Sequence, residues 1–249
     1  MDNRKPKILT AHQPVYLPWL GLFHKISLAD QYVIFDTVQY LKRDWNNRNK
    51  IKTAQEPQWL TVPVYTHHKF DQILAEVKIN NDLDWRKKHL RSLEVNYCKT
   101  PYFKCYIDFF RELYGKKWEY LVDLNDEVLR YFLNILGIDV EILYGHDLGL
   151  EGEKSDLVTD MCKKLKADIY VFGALGRNYA KVEEFRSHGI EPMFQEYVHP
   201  VYPQMFGSFE PFLSVIDLLF NCGDASSEII KRGNLTQEEL VRLVEATKN

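Results

Sequence analysis

The sequence predicts an α/β protein built on a parallel sheet, with a helical subdomain inserted between its early and late strands. Three observations carry that reading. The opening stretch from Lys7 to Asp36, KILTAHQPVYLPWLGLFHKISLADQYVIFD, runs through strand, polar turn, helix and second strand within thirty residues. From Val140 to Gln195, short apolar runs of strand length again alternate with helical segments. Between these stretches, residues 80–137 carry helical patterns only. Strands separated by helices imply parallel pairing, because a crossover helix returns the chain to the edge from which it left.

In chain order, Ile8-Leu9 begins the first strand, which enters a turn holding His12, Gln13, Pro14, Tyr16, Pro18 and Trp19. Gly21 opens a helix through Leu28, and Tyr32 to Phe35 is the next buried strand. Val38 to Lys52 is polar, basic and aromatic, and reads as an extended loop before the strand-like Trp59 to Val64. Asp84 is placed to cap WRKKHLRSLEVNY, a second helix covers Tyr102 to Tyr114, and a third runs from about Trp118 to Leu136, where Gly137 stops it. Val140 to Leu143 is a strand, Ser155 precedes a helix to Leu165, and Ile169 to Phe172 is a strand entering the turn GALGRNYA. A short helix from Ala180 to His188 ends at Gly189, and Pro192 to Gln195 is the last strand. An amphipathic helix covers Leu213 to Phe220. The expected organisation is one α/β catalytic domain over residues 1–223, with the helical insertion at about 80–137, then a polar C-terminal helix or tail over 224–249.

Composition narrows the function. A formal charge of −3 argues against an extended nucleic-acid surface. No apolar run approaches the roughly 20 residues needed to span a bilayer, and the start MDNRKPKIL lacks the apolar core of a signal peptide, so the expected compartment is the cytoplasm. Cys98, Cys105, Cys162 and Cys222 show no CxxC spacing and read as reduced, mostly buried thiols. Neither HExxH nor GxSxG occurs, and no metal site held by protein ligands alone is expected.

In a parallel sheet, ligands bind beyond the carboxyl ends of the strands. His12 and Asp36 belong to that edge and are the catalytic candidates, with Gln13, Tyr16, Trp19 and Gly21 lining the turn as substrate contacts. The loop from Lys42 to Lys50 concentrates cations, amides and an indole. Arg43, Arg48 and Lys50 suit phosphate oxygens, Asn47 can donate or accept, and Tyr40 or Trp45 can stack on a base or sugar; a solvated basic face is the plainer alternative. Lys154 and Ser155 open a helix after Gly149 and Gly152, either as an anion contact or with Ser155 as an ordinary cap. Gly173, Asn178 and Tyr179 lie in a strand-to-helix turn suited to backbone contact with a ligand, and His89 lies on a helix facing either a cleft or solvent.

The phrases HQPVYLPWLGLFHKI, QYLKRDWNNRNKIK, WLTVPV, GALGRNYAKVEEF and HPVYPQMFGSFEPFLSVIDLLFNCG together resemble the WbqC-like protein family across residues 12–223. That resemblance implies a cytoplasmic enzyme of O-antigen (lipopolysaccharide) or related surface-polysaccharide biosynthesis, with transfer of glycine to a sugar amine as the activity suggested for the family. The implied partners are a nucleotide-linked amino sugar and an amino acid or aminoacyl donor. The opening strand, histidine turn and helix are also similar to nucleotidylyltransferase-type proteins with Rossmann-like sheets, which handle ATP phosphates through HxGH. This chain departs from that signature, since His12-Gln13-Pro14 and Leu17 to Gly21 contain one histidine. ATP with magnesium is thus a candidate cofactor and aminoacyl-tRNA an alternative activator. In this reading Arg43, Arg48 and Lys50 neutralise phosphates, His12 is a phosphate ligand or general base, and Asp36 positions the amine or a magnesium ion. A nucleotidyl- or glycosyltransferase of the same pathway and a non-enzymatic assembly module are the alternatives.

Overall fold

Every residue from Ile8 to Ala11 is buried, so neither face of the first strand meets water, and a strand of that kind belongs in the middle of a sheet covered by helices on both sides. The computed structural model describes residues 4–67 and 71–247. Its elements begin with β1 (Ile8–His12), α1 (Leu20–Ser27), β2 (Gln31–Ile34), β3 (Arg48–Ile51) and β4 (Gln58–Thr61). Three helices follow, α2 (Trp85–Tyr97), α3 (Phe103–Gly115) and α4 (Leu121–Ile135). The alternation then resumes with β5 (Glu141–Tyr144), α5 (Lys154–Leu165), β6 (Ile169–Phe172), α6 (Val182–Ser187) and β7 (Glu191–Phe194). The chain closes with α7 (Val215–Cys222), α8 (Ser226–Lys231) and α9 (Gln237–Thr247).

Five strands form one parallel sheet in the order β5-β2-β1-β6-β7, a Rossmann-like arrangement. Alternate residues serve opposite faces. Leu9, Ala11, Val33 and Phe35 pack with Val158, Met161 and Cys162 of α5 and Phe185 of α6. Tyr32 and Ile34 face the other way, into a core shared with Phe23 and Ile26 of α1 and Phe132 of α4. That second core runs on without a break through Tyr97, Tyr106, Phe110 and Phe220, so the inserted helices are packed as an extension of the layer holding α1.

The chain grows outward from β1 through β2 to β5, then crosses to the other side of β1 for β6 and β7. The connections on either side of the β1/β6 junction therefore diverge, leaving a crevice at the carboxyl edge between those two strands.

Three local differences from the sequence reading have clear causes. Part of the expected basic loop is a strand: Asn49 and Ile51 are buried while Arg48 and Lys50 point outward, and β3 pairs antiparallel with β4, Lys50 opposite Trp59. The strand expected to reach Val64 ends at Thr61. The polar terminal segment is seated on the sheet, because α9 buries Leu240 and Val244 beside Ile8, Ile169 and Val171. Among the cysteines, Cys98 and Cys105 are exposed and Cys162 and Cys222 buried. Among the described residues, no helix is long and apolar enough to cross a membrane.

Candidate functional site

His12 ends β1 and Gly173 follows β6, so the two flank the β1/β6 crevice. Between them comes Lys25 of α1, a residue the sequence reading missed. Helical side chains lean toward the N-terminus of their helix, and α1 starts at the carboxyl edge, so Lys25 is carried back toward the strand ends. Its Nζ donates to the Ala11 carbonyl at 2.9 Å and would lie 3.9 Å from a Cβ placed on Gly173. Lys25 is 4% exposed, and among the described residues no carboxylate pairs with it. Burial alone pushes its ammonium down to about 7, so it exchanges a proton near neutrality. The sequence carries a signal for this in the mainly apolar run LGLFHKI around Lys25, and in the structure Leu20 to Ile26 are all buried.

The His12 ring is held by a bond between Nδ1 and the Gln13 carbonyl at 2.9 Å, which assigns the proton to Nδ1 and leaves Nε2 as an acceptor. Burial first, then the charge of Lys25, push His12 down to about 3, so the imidazole is neutral at physiological pH. Its edge packs on Trp19 at 5.4 Å between centroids. From there a line of indoles leads outward, Trp19 to Trp45 at 6.0 Å and Trp45 to Trp59 at 5.4 Å. Arg48 Cζ stands 4.2 Å above the Trp59 ring and Lys50 Nζ 5.0 Å from it. The basic ribbon and the strand-end crevice are thus joined by a line of tilted aromatic rings.

Asparagines brace this arrangement. Asn46 Nδ2 donates to the Pro14 carbonyl at 2.9 Å and to Gln13 Oε1 at 3.2 Å, and Asn125 Nδ2 of α4 donates to the Asn46 carbonyl at 2.9 Å. Asn49 Nδ2 donates to the Leu17 carbonyl at 2.5 Å. That bond helps hold Leu17, fully buried, at a φ of 48°, a left-handed conformation that a branched side chain adopts only under constraint. Asn47, expected to contact substrate, is buried with Nδ2 donating to the Val62 carbonyl at 2.8 Å.

Other candidates lie elsewhere. Tyr16 is fully buried, its hydroxyl 2.9 Å from His89 Nδ1 and 2.5 Å from the Tyr114 hydroxyl, and burial pushes His89 down to about 4. Both residues are internal because α2 and α3 close over that side of the turn. Gly21 is a packing position: a Cβ there would lie 3.0 Å from the Tyr197 ring, and its carbonyl accepts from Gln195 Nε2 at 2.9 Å. Tyr40 is nearly buried, with burial raising its phenol, while Arg43 is exposed and its carbonyl accepts from the Arg48 guanidinium. Lys154 is exposed at the start of α5. Ser155 is buried and accepts from the Lys181 backbone N–H at 3.0 Å, which ties α5 to the start of α6 in place of a cap. Asn178 is exposed, and the half-exposed Tyr179 stands 5.9 Å from Phe172 in the turn after β6.

A second cluster occupies the same edge between β2 and β5. Asp36 is 1% exposed, and both its oxygens are engaged by one residue: Oδ1 accepts from the His146 backbone N–H at 3.1 Å and Oδ2 from His146 Nδ1. The bond to Asp36 raises the His146 imidazole above its ordinary value. With both oxygens occupied and enclosed, Asp36 does not fit as a magnesium ligand. Among the described residues, no three His, Cys, Asp or Glu side chains gather as a metal site would require. The sequence reading also missed His146, although a histidine two residues beyond a parallel strand stands at the binding edge by topology alone.

Comparison with known proteins follows that geometry. The model of the WbqC-like protein family matches residues 13–229, which include the His12 turn from Gln13 onward, Lys25, the ribbon, His146 and the Gly173 turn. A Mycobacterium tuberculosis (strain ATCC 25618 / H37Rv) protein named "Uncharacterized protein Rv1507c" is 35% identical over 221 residues, covering 88% of this chain and 95% of that protein. Its name carries no activity, so the likeness bears on family rather than on reaction.

Proposed function

The chain belongs to the WbqC-like protein family, and from that premise we propose that it transfers an acyl group, glycine in the first instance, to the amino group of a nucleotide-linked sugar used for surface polysaccharide such as O-antigen. The observation that carries the reading is Lys25: an enclosed ammonium with one carbonyl acceptor, at the sheet's switch point, connected by three indoles to a ribbon of arginine and lysine. A buried cation without a counter-ion is costly, and an anionic ligand relieves that cost.

In this reading the nucleotide base stacks on the Trp45 and Trp59 faces, and Arg48 and Lys50 take the diphosphate. Lys25 receives the anion that develops at the acyl centre or on its leaving group, which restores the ammonium's preference for charge. His12, neutral and anchored through Nδ1, presents Nε2 to the substrate as an acceptor. An anion at Lys25 also cancels the part of the His12 depression that Lys25 causes. The acyl donor is an acyl phosphate made from ATP or an aminoacyl ester, and a nucleotide sugar as acceptor makes the cytoplasm the compartment this reading requires.

The test is to incubate the purified chain with ATP, glycine and a panel of nucleoside-diphosphate amino sugars, then to follow the sugars by mass spectrometry. The expected product gains one glycyl residue in amide linkage, and replacing ATP and glycine with glycyl-tRNA identifies the activator. Release of pyrophosphate or formation of a glycoside without an amide would reassign the protein to nucleotidyl or glycosyl transfer. Binding without turnover would make it an assembly module.

A further inference from the structure

An attacking amine must lose a proton as its bond to carbon forms, and neither group at the switch point is suited to take it. His12 is held at about 3, too weak a base for an ammonium-forming nitrogen, and Lys25, whose Nζ donates to the Ala11 carbonyl, holds an anion in the acyl-transfer reading. The β2/β5 cluster lies on the same edge. Neighbouring strands are about 4.8 Å apart, so the end of β5 stands about 10 Å from the end of β1, a distance that a nucleotide-linked hexose spans.

We propose that His146, oriented by Asp36, is the general base that removes the proton from the sugar amine, an assignment that rests on the acyl-transfer reading above. The geometry is that of a positioned imidazole. Asp36 grips both the backbone N–H and Nδ1 of His146, so the ring cannot swing, and Nε2 is turned away from the buried carboxylate. Gly145 makes the grip feasible, since a Cβ there would lie 3.1 Å from Asp36 Oδ1 and 3.3 Å from the Ile34 carbonyl. The His146 side chain is 52% exposed, so Nε2 is reachable from the edge. The facing groups are Asp147, whose Oδ1 is 3.5 Å from Nε2, and Tyr144, with ring centroids 5.4 Å apart. The Tyr144 hydroxyl is itself tied to Asp126 at 3.0 Å and Arg130 at 2.8 Å on α4.

The step balances as follows. The amine nitrogen bonds to the acyl carbonyl carbon, its proton passes to His146 Nε2, and the carbon–oxygen bond to the phosphate or ester leaving group breaks with the electron pair going to that oxygen. The resulting imidazolium is neutralised by Asp36, and its proton is then released to solvent through the exposed edge.

Two measurements on the full chain test this. In the first, His146→Gln lowers kcat for amide formation about 100-fold with KM little changed, the scale of a lost general base. Asp36→Asn moves the rising limb of the pH–rate profile to lower pH, because the carboxylate that raises His146 is gone. In the second, nitrogen-15 spectra of the histidines in the unaltered chain show His146 Nε2 perturbed by UDP-glucosamine and not by UDP-glucose, which lacks the amine. Perturbation by the amino sugar without any amide product would overturn the acyl-transfer reading and leave His146 as an amine's proton acceptor. Equal response to both sugars, no response to either, or a His146→Gln protein with unchanged kcat overturns the assignment. The spectra of the unaltered chain stand even if Asp36→Asn fails to fold.

Discussion

His12 and His146 both stand where a parallel strand meets the same edge of the sheet, and their surroundings drive them in opposite directions. His12 is largely buried beside a lysine, with Trp19 on its edge and a backbone carbonyl on Nδ1, so it stays neutral far below its usual range. His146 is half in solvent with a buried carboxylate behind it, so its charged form is favoured. The imidazole itself is the same. What differs is whether the protein supplies a counter-charge, and in the proposed reading that splits one edge into an anion site at β1/β6 and a proton acceptor at β2/β5.

The largest expected effect falls on the first of these. Lys25→Met should weaken binding of a nucleoside-diphosphate amino sugar about 100-fold, the scale of one or two charge-assisted hydrogen bonds worth roughly 1.5–3 kcal/mol each. Its melting temperature should hold or rise, because an apolar chain of similar shape replaces a buried charge. Titration calorimetry and scanning calorimetry read the two quantities, and unchanged affinity would remove the crevice from the ligand site. Next comes the ribbon: Arg48→Ala should cost about 1.5–3 kcal/mol of the same binding, and Arg48→Lys should recover little, since a planar guanidinium both forks to phosphate and stacks on Trp59. Full recovery with lysine would reduce the ribbon to a point charge.

Tyr16→Phe separates the edge from the core beside it. The His89 and Tyr114 partners left behind lose a buried hydrogen bond, so chemical denaturation should show a loss of about 1–3 kcal/mol while ligand affinity stays as it was. A drop in affinity without a loss in stability would return Tyr16 to the binding surface.

The smallest and most diagnostic effect is the sign of stability against pH. His12 has a folded value of about 3 against an ordinary 6.5, so its contribution is complete above 6.5 and is lost as pH falls from there toward 3. His146 is raised, so its contribution is complete below 6.5 and is lost as pH rises through its folded value. Lys25, at about 7 against 10.5, makes the protein gain stability as pH climbs between those values. Denaturation series for His12→Ala, His146→Gln and Lys25→Met should flatten the acid slope, the near-neutral slope of opposite sign and the alkaline slope respectively. Two histidine variants that change the same slope would erase the contrast between the two halves of the edge.

The sheet strands were legible because their signals are local. Ile8-Leu9, Tyr32 to Phe35 and Ile169 to Phe172 are apolar runs bounded by turn residues, and in a doubly wound fold such runs become parallel strands. The polar turn at His12 was legible for the same reason, whereas the basic segment holding Arg48 and Lys50 read as a loop, because its pairing with β4 depends on a second strand farther along the chain. The burial of Asn47, Tyr16 and His89 is not legible because a polar side chain in a turn or helix gives no hint of what will close over it; α2 and α3 bury Tyr16 and His89, and Asn47 is buried with its amide on the Val62 carbonyl. Lys25 does not stand out in the sequence because a single lysine in a short apolar helix reads as a solvent-facing position, and only the packing on both sides of α1 buries it.

The alternation of strand and helix, and with it the carboxyl edge of a parallel sheet, follows from the order of the residues alone, since periodicity and chain direction are properties of neighbouring residues. Which strands flank the β1/β6 junction and which polar groups lose contact with water depend on how distant segments pack. Strand order comes from crossovers between distant segments. The Lys25 and His12 shifts come from burial under elements far along the chain, and the His146 shift from a carboxylate 110 residues away in sequence.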